Sequence, residues 1–97
     1  LRVDPAMYPC MVRILEASFN GTAIDTGNTR QVVINGARLG KGTGMVFATN
    51  DPNLNFRLDK LHRQEKENKL KLTLELVPLS MGMAQELTKG AGKKFFR

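Results

Sequence analysis

The sequence predicts an all-β fold, a small antiparallel β-sandwich or barrel, with a short helix or loop near its C-terminal end. Three observations carry this expectation. The stretch KLKLTLELV, residues 69–77, sets Leu70, Leu72, Leu74 and Leu76 against Lys71, Thr73 and Glu75. That period of two belongs to an antiparallel strand with one face buried and one in water. Asn-Gly occurs at 20–21 and again at 35–36, and this dipeptide is the strongest short signal for a hairpin turn. Several further short apolar stretches are separated by turn formers, the spacing of sandwiches and barrels.

Taken in order, LRVDPAMYP (1–9) carries two prolines and no clear period, and reads as an extended arm. MVRILEASF (11–19) is β-branched and apolar, with rough alternation through Val12, Ile14, then Ala17 and Phe19, and is expected to be a strand. Asn20-Gly21 turns it. AIDTGN (23–28) is expected as a short strand running into a second turn, and RQVVING (30–36) as a third strand. GARLGKGTG (36–44) has four glycines in nine residues and is assigned to a loop.

MVFAT (45–49) is a strand, and NDPN (50–53) is dense in turn formers. In LNFRLDKL (54–61), Leu54, Phe56 and Leu58 alternate with polar residues, which predicts a strand. A helix over 53–66 is the rival, because Leu54, Leu58 and Leu61 share a helical face. HRQEKENK (62–69) is a charged connection. MGMAQELTK (81–89) is a short helix or loop, and GAGKKFFR (90–97) a glycine-flexed basic tail with two aromatics. The whole, 1–97, forms one β-rich domain.

Composition narrows the function classes. Apolar residues make up 41% and charged residues 25%, which argues against wholesale disorder. No apolar run reaches the length of a membrane span, and no charged-then-apolar leader opens the chain. The absence of an initiator Met suggests an excised domain or a processed product. Cys10 is the single cysteine, so no internal disulfide or cysteine-based metal site is expected. A reducing, intracellular and cytoplasmic setting fits best. The net charge of +6 favours an acidic partner: an anionic lipid surface, nucleic acid or an acidic protein face.

One motif points to catalysis. Asp25-Thr26-Gly27 follows two apolar residues, as in the catalytic loop of aspartic proteases. With Pro9 and MVRIL before it, GKGTG (40–44) as a flap and LSMGMAQEL near the end, this stretch resembles the retropepsins. The resemblance implies a homodimer in which two aspartates share a proton, with Asp25, Thr26 and Gly27 as the site and Phe95 and Phe96 in a terminal dimer strand. Asn28 stands where that family has a small residue, Ser80-Met81-Gly82 lacks its aliphatic pair, and the flap lacks apolar tip residues. Asp-Thr-Gly is also good turn chemistry.

The segment VFATNDPNLNFRLDKLHRQEKENKLKLTLELVPL resembles the middle of C-two domains, the lipid- and protein-binding sandwiches first described in protein kinase C. Its order of turn, Phe-containing strand, charged loop and alternating strand carries the likeness. The resemblance implies a binding module. Asp25, Asp51 and Asp59 are scattered, whereas calcium needs several carboxylates converging from loops, so the implied type is calcium-independent.

Arg57, Lys60, Arg63, Lys66, Lys69 and Lys71 gather around one expected hairpin, and Lys93 and Lys94 sit in the tail. These are the candidate binding residues. Such charge alone suits phosphates, and a nucleic-acid-binding β domain is a third reading. Stacking platforms are scarce, since Phe19, Phe47 and Phe56 read as core. Gly36 and Gly40-Lys41 fail the spacing of a phosphate loop, and Gly42 replaces its Ser or Thr. His62 is the only histidine and lies in a charged run; Met81 and Met83 read as packing. No metal site or cofactor is expected. The leading expectation is a non-catalytic interaction module meeting a protein or an anionic surface. The homodimeric aspartic protease is the alternative.

Overall fold

The computed structural model describes residues 1–40, 44–57 and 67–95, with side chains through Lys89. The strands are β1 (Arg2–Val3), β2 (Cys10–Phe19), β3 (Thr22–Ala23), β4 (Val32–Ile34), β5 (Ala37–Arg38), β6 (Gly44–Phe47), β7 (Leu54–Phe56) and β8 (Leu70–Pro78), followed by helix α1 (Met81–Phe95). They form two antiparallel sheets. The smaller has the order β1-β7-β4. In the larger, β2 is central: β8 pairs along one edge, while β6 and β3 share the other and β5 lies beyond β6.

The core lies between the sheets. Cys10, Val12, Ile14, Phe19, Met45 and Phe47 come from the larger sheet, Val32, Leu54 and Phe56 from the smaller, and Ile24 from the turn after β3. Leu70, Leu72, Leu74 and Leu76 pack against this cluster but remain half-buried. The expected alternation of β8 is therefore present, with its leucines at the rim of the core.

A bulge explains why β2 alternates only roughly. Arg13 pairs with Glu75 and Ile14 with Leu74, but the next pair is Glu16 with Thr73, so Leu15 is an extra residue. One inserted residue reverses which side of the strand faces inward. Even-numbered Cys10, Val12 and Ile14 face the core before the bulge, and odd-numbered Ala17 and Phe19 after it. Leu15 itself is 54% exposed. Asn20 (φ 51°) and Gly21 (φ 82°) then make the turn into β3. Positive φ at both central residues is the geometry that matches the twist of a hairpin.

Several expectations need correction. The arm is not merely extended: β1 pairs with β7, and the Leu1 ammonium donates to the Phe56 carbonyl at 2.8 Å. The short strand expected over 23–28 spans Thr22–Ala23; the Ile24 amide adds one more bond in the same register, donating to the Ala17 carbonyl at 3.0 Å, before the chain turns. The glycine-rich stretch assigned to a loop contains β5, while 41–43 lie outside the described residues. The strand at 54–61 is seen over Leu54–Phe56, which excludes helix there; residues 58–66 lie outside the description. Among the described residues β7 and β8 do not pair; they belong to different sheets. The basic tail is helical through Phe95, continuous with α1.

Ser80 starts that helix. Its hydroxyl accepts a hydrogen bond from the Met83 amide at 3.1 Å, the arrangement of an N-cap. Helix α1 packs against β6 and β5. Val46 and Ala84 are both fully buried yet lie outside the inter-sheet cluster. The helix thus covers part of the outer face of the larger sheet, making a second, thin layer.

Candidate functional site

Asp25, Thr26 and Gly27 form a compact turn. Asp25 Oδ1 accepts from the Gly27 amide at 3.2 Å, and the Asp25 carbonyl accepts from the Asn28 amide at 3.0 Å. Asn28 continues the pattern, its Oδ1 accepting from the Arg30 amide at 2.9 Å. Arg38 clamps the turn from β5, donating to the carbonyls of Thr26 and Val32, both at 2.6 Å. Asp25 is exposed and Thr26 buried. A buried Ile24 and Thr26 with an outward Asp25 is what Asp-Thr-Gly chemistry gives a chain leaving a sheet. The clamp was not legible in advance: nothing marks an arginine in a glycine-rich stretch as a carbonyl binder.

Of the candidate basic residues, Arg57, Lys69 and Lys71 are described with their side chains. Lys60, Arg63 and Lys66 lie outside the described residues, and Lys93 and Lys94 lie on the later turns of α1. Arg57 follows β7 in the smaller sheet, where its amide donates to the Gln31 carbonyl at 2.8 Å. Lys71 belongs to the larger sheet, on β8, and Lys69 immediately precedes that strand. Each ammonium faces a carboxylate: Lys69 to Glu67 at 3.7 Å, Lys71 to Glu16 at 3.5 Å. Arg13 and Glu75, directly opposed across β2 and β8, pair at 3.1 Å. Among the described residues, the outer face of the larger sheet therefore carries charges of alternating sign. All these pairs are exposed, so each adds little to stability.

Beside them lies a groove that sequence reasoning missed. Two cross-strand rows build it. One runs Val77–Met11–Val46–Ala37, the other through Glu75, Arg13 and Gly44, with Leu39 tied to the Gly44 carbonyl by its amide at 2.9 Å. Helix α1 covers Val46. What remains is a cleft of about 240 Å³ lined by Met11, Leu39, Val77, Gly44 and the Arg13–Glu75 pair. Gly44 deepens it by having no side chain. A signal existed: Met11 and Val77 are apolar at positions in phase with Arg13, Thr73 and Glu75, where alternation calls for polar residues.

Cys10 is fully buried, and burial pushes its thiol pKa up, so it is an inert packing group. Among the described residues, no group of three or more His, Cys, Asp or Glu side chains is placed to hold a metal ion, and no helix is long and apolar enough to cross a membrane. Comparison with protein families, with curated proteins and with solved structures gives no match.

Proposed function

We propose that the domain is a non-catalytic interaction module that takes an apolar segment of a protein partner into the groove on the outer face of its larger sheet. The observation that carries this reading is the Gly44-floored cleft between Met11, Leu39 and Val77, with an ion pair at its rim. Apolar walls supply affinity, and Arg13 and Glu75 supply polar contacts that fix orientation. A C-two-like, calcium-independent sandwich meeting an anionic surface is the less supported form of the same reading, because Lys69 and Lys71 already face carboxylates. For the aspartic protease alternative, two Asp25 turns would have to meet across a dimer and share a proton. The carboxylate's bond to the Gly27 amide suits a self-contained turn as well.

The test is selection of binders from a displayed random-peptide library, with anionic vesicles and single-stranded oligonucleotide as parallel probes. Apolar peptides should bind the wild type and lose at least about tenfold in affinity against Gly44→Val, which fills the cleft, and Val77→Lys. Lys71→Glu should bind them as the wild type does. If no peptide is enriched, or binding ignores both groove changes, the reading fails. Vesicle or oligonucleotide binding lost on charge reversal would favour the anionic surface instead. Peptide cleavage abolished by Asp25→Asn would favour the protease.

A further inference from the structure

Among the described residues, strand β8 has one partnered edge and one open edge. Among the described residues it pairs only with β2, although it is nine residues long. Alternate N–H and C=O groups along its other side therefore point away from the sheet, a template for another strand. Helix α1, which follows directly, packs mainly on β6 and β5. The leucines of β8 are all half-buried, so apolar surface is left along this rim.

The sequence of the edge is complementary to itself. When two copies of β8 run antiparallel about a two-fold axis at Thr73, residue pairs sum to a constant. Lys71 then faces Glu75 of the partner subunit, and Glu75 faces the partner's Lys71. Leu72 faces the partner's Leu74, and Leu70 the partner's Leu76. Every polar residue meets an opposite charge or its own hydroxyl, and every leucine meets a leucine. Centring on Leu72 instead puts Lys71 against Thr73, and centring on Leu74 puts it against Val77; neither matches the charges within the strand.

The neighbouring strand extends the match. Arg13 already pairs with Glu75, and Lys71 with Glu16. Joining the edges produces a run of alternating sign across four strands: Arg13, Glu75, the partner's Lys71 and, diagonal to it, the partner's Glu16. Opposite charges directly across an antiparallel pair stabilise it, and like charges oppose it.

We propose that the open edge of β8 is a self-association surface, pairing antiparallel with β8 of a second copy of this chain in the register centred on Thr73. The surface is isologous and closes on itself as a two-fold dimer with one continuous sheet. It goes beyond the groove reading and does not depend on it, because Gly44→Val fills the groove without touching the β8 edge.

Sedimentation velocity over a concentration series tests it on the full chain. The wild type should show a monomer–dimer equilibrium. Lys71→Glu leaves acidic residues opposite each other, and Glu75→Lys leaves basic ones, so each variant alone should self-associate at least about tenfold more weakly. Mixing the two in equal amounts restores both oppositely charged pairs and should recover the dimer, as should the double exchange in a single chain. Thermal melts confirm that each variant is folded. A wild type that stays monomeric throughout overturns the proposal. So does a dimer indifferent to the single reversals, or a mixture that recovers nothing.

Discussion

Asn20 and Lys69 are joined by two hydrogen bonds: the Asn20 amide donates to the Lys69 carbonyl at 2.9 Å, and the Lys69 amide donates to Asn20 Oδ1 at 2.8 Å. Asn20 Nδ2 also donates to Asn68 Oδ1 at 3.0 Å. The turn residue after β2 therefore carries the β2–β8 pairing one step past Phe19–Leu70.

Two properties of Asn20 can be separated by substitution. Asn20→Gly keeps the positive φ and removes the side-chain bonds. Asn20→Ala removes both, and is expected to cost about 1–2 kcal/mol in denaturant unfolding. The glycine variant should fall between it and the wild type. Equal stability of all three would show that neither the turn conformation nor the link to Lys69 matters.

Two glycines separate close approach from open space. A Cβ on Gly36 would lie 2.8 Å from Phe47 Cδ1 and closer still to the Val46 carbonyl oxygen, a backbone atom that cannot swing away. A Cβ on Gly44 meets nothing nearer than Leu39 Cδ1 at 3.5 Å, an ordinary contact. Gly36→Ala should therefore destabilise by about 1–3 kcal/mol, the scale of overpacking a tight site. Gly44→Ala should be nearly neutral. The reverse order in thermal melts would refute the placement of the Asn35–Gly36 crossing against β6.

What the sequence discloses follows from how local each interaction is. The alternation in β8 and the Asn20-Gly21 turn depend on neighbours in the chain, and both are visible there. Which sheet receives β7 is set by pairings with β1 and β4, segments far apart in sequence, so the expected β7–β8 hairpin had no means of being checked. Strand β5 is two residues of a glycine-rich stretch, too short to show a period. The helix beyond Lys89 runs against the low propensity of Gly90 and Gly92, which is why those residues read as a tail. The basic cluster is a count of charges along the chain; that Lys71 meets Glu16 from another strand is a fact of the fold. The groove was half legible, through Met11 and Val77, apolar residues at positions where the alternation calls for polar ones.

Cys10 gives a probe of global opening. With no exposed surface and a thiol pKa raised by burial, it should react with a thiol reagent only when the sandwich opens. Labelling under native conditions is expected to be slow and to accelerate together with unfolding as denaturant is added. Rapid labelling without denaturant would mean that the N-terminal end of β2 separates from the core on its own.

The bulge at Leu15 supports the sharpest prediction about the fold. Leu15 is 54% exposed and unmatched in the β2–β8 register, so Leu15→Lys should change stability by no more than about 0.5 kcal/mol. Deleting the residue tests the same register. Glu16 then follows Ile14 directly, and the present pairs of Glu16 with Thr73, Ala17 with Leu72 and Phe19 with Leu70 continue the Ile14–Leu74 register without interruption. Ala17 and Phe19 stay inward and Glu16 and Ser18 outward, so no carboxylate enters the core and no buried aromatic leaves it. The deletion variant should therefore keep a cooperative thermal transition, and both variants should melt within about 4 °C of the wild type. Loss of the cooperative transition on deletion would show that Leu15 is not the one residue left over in the β2–β8 pairing.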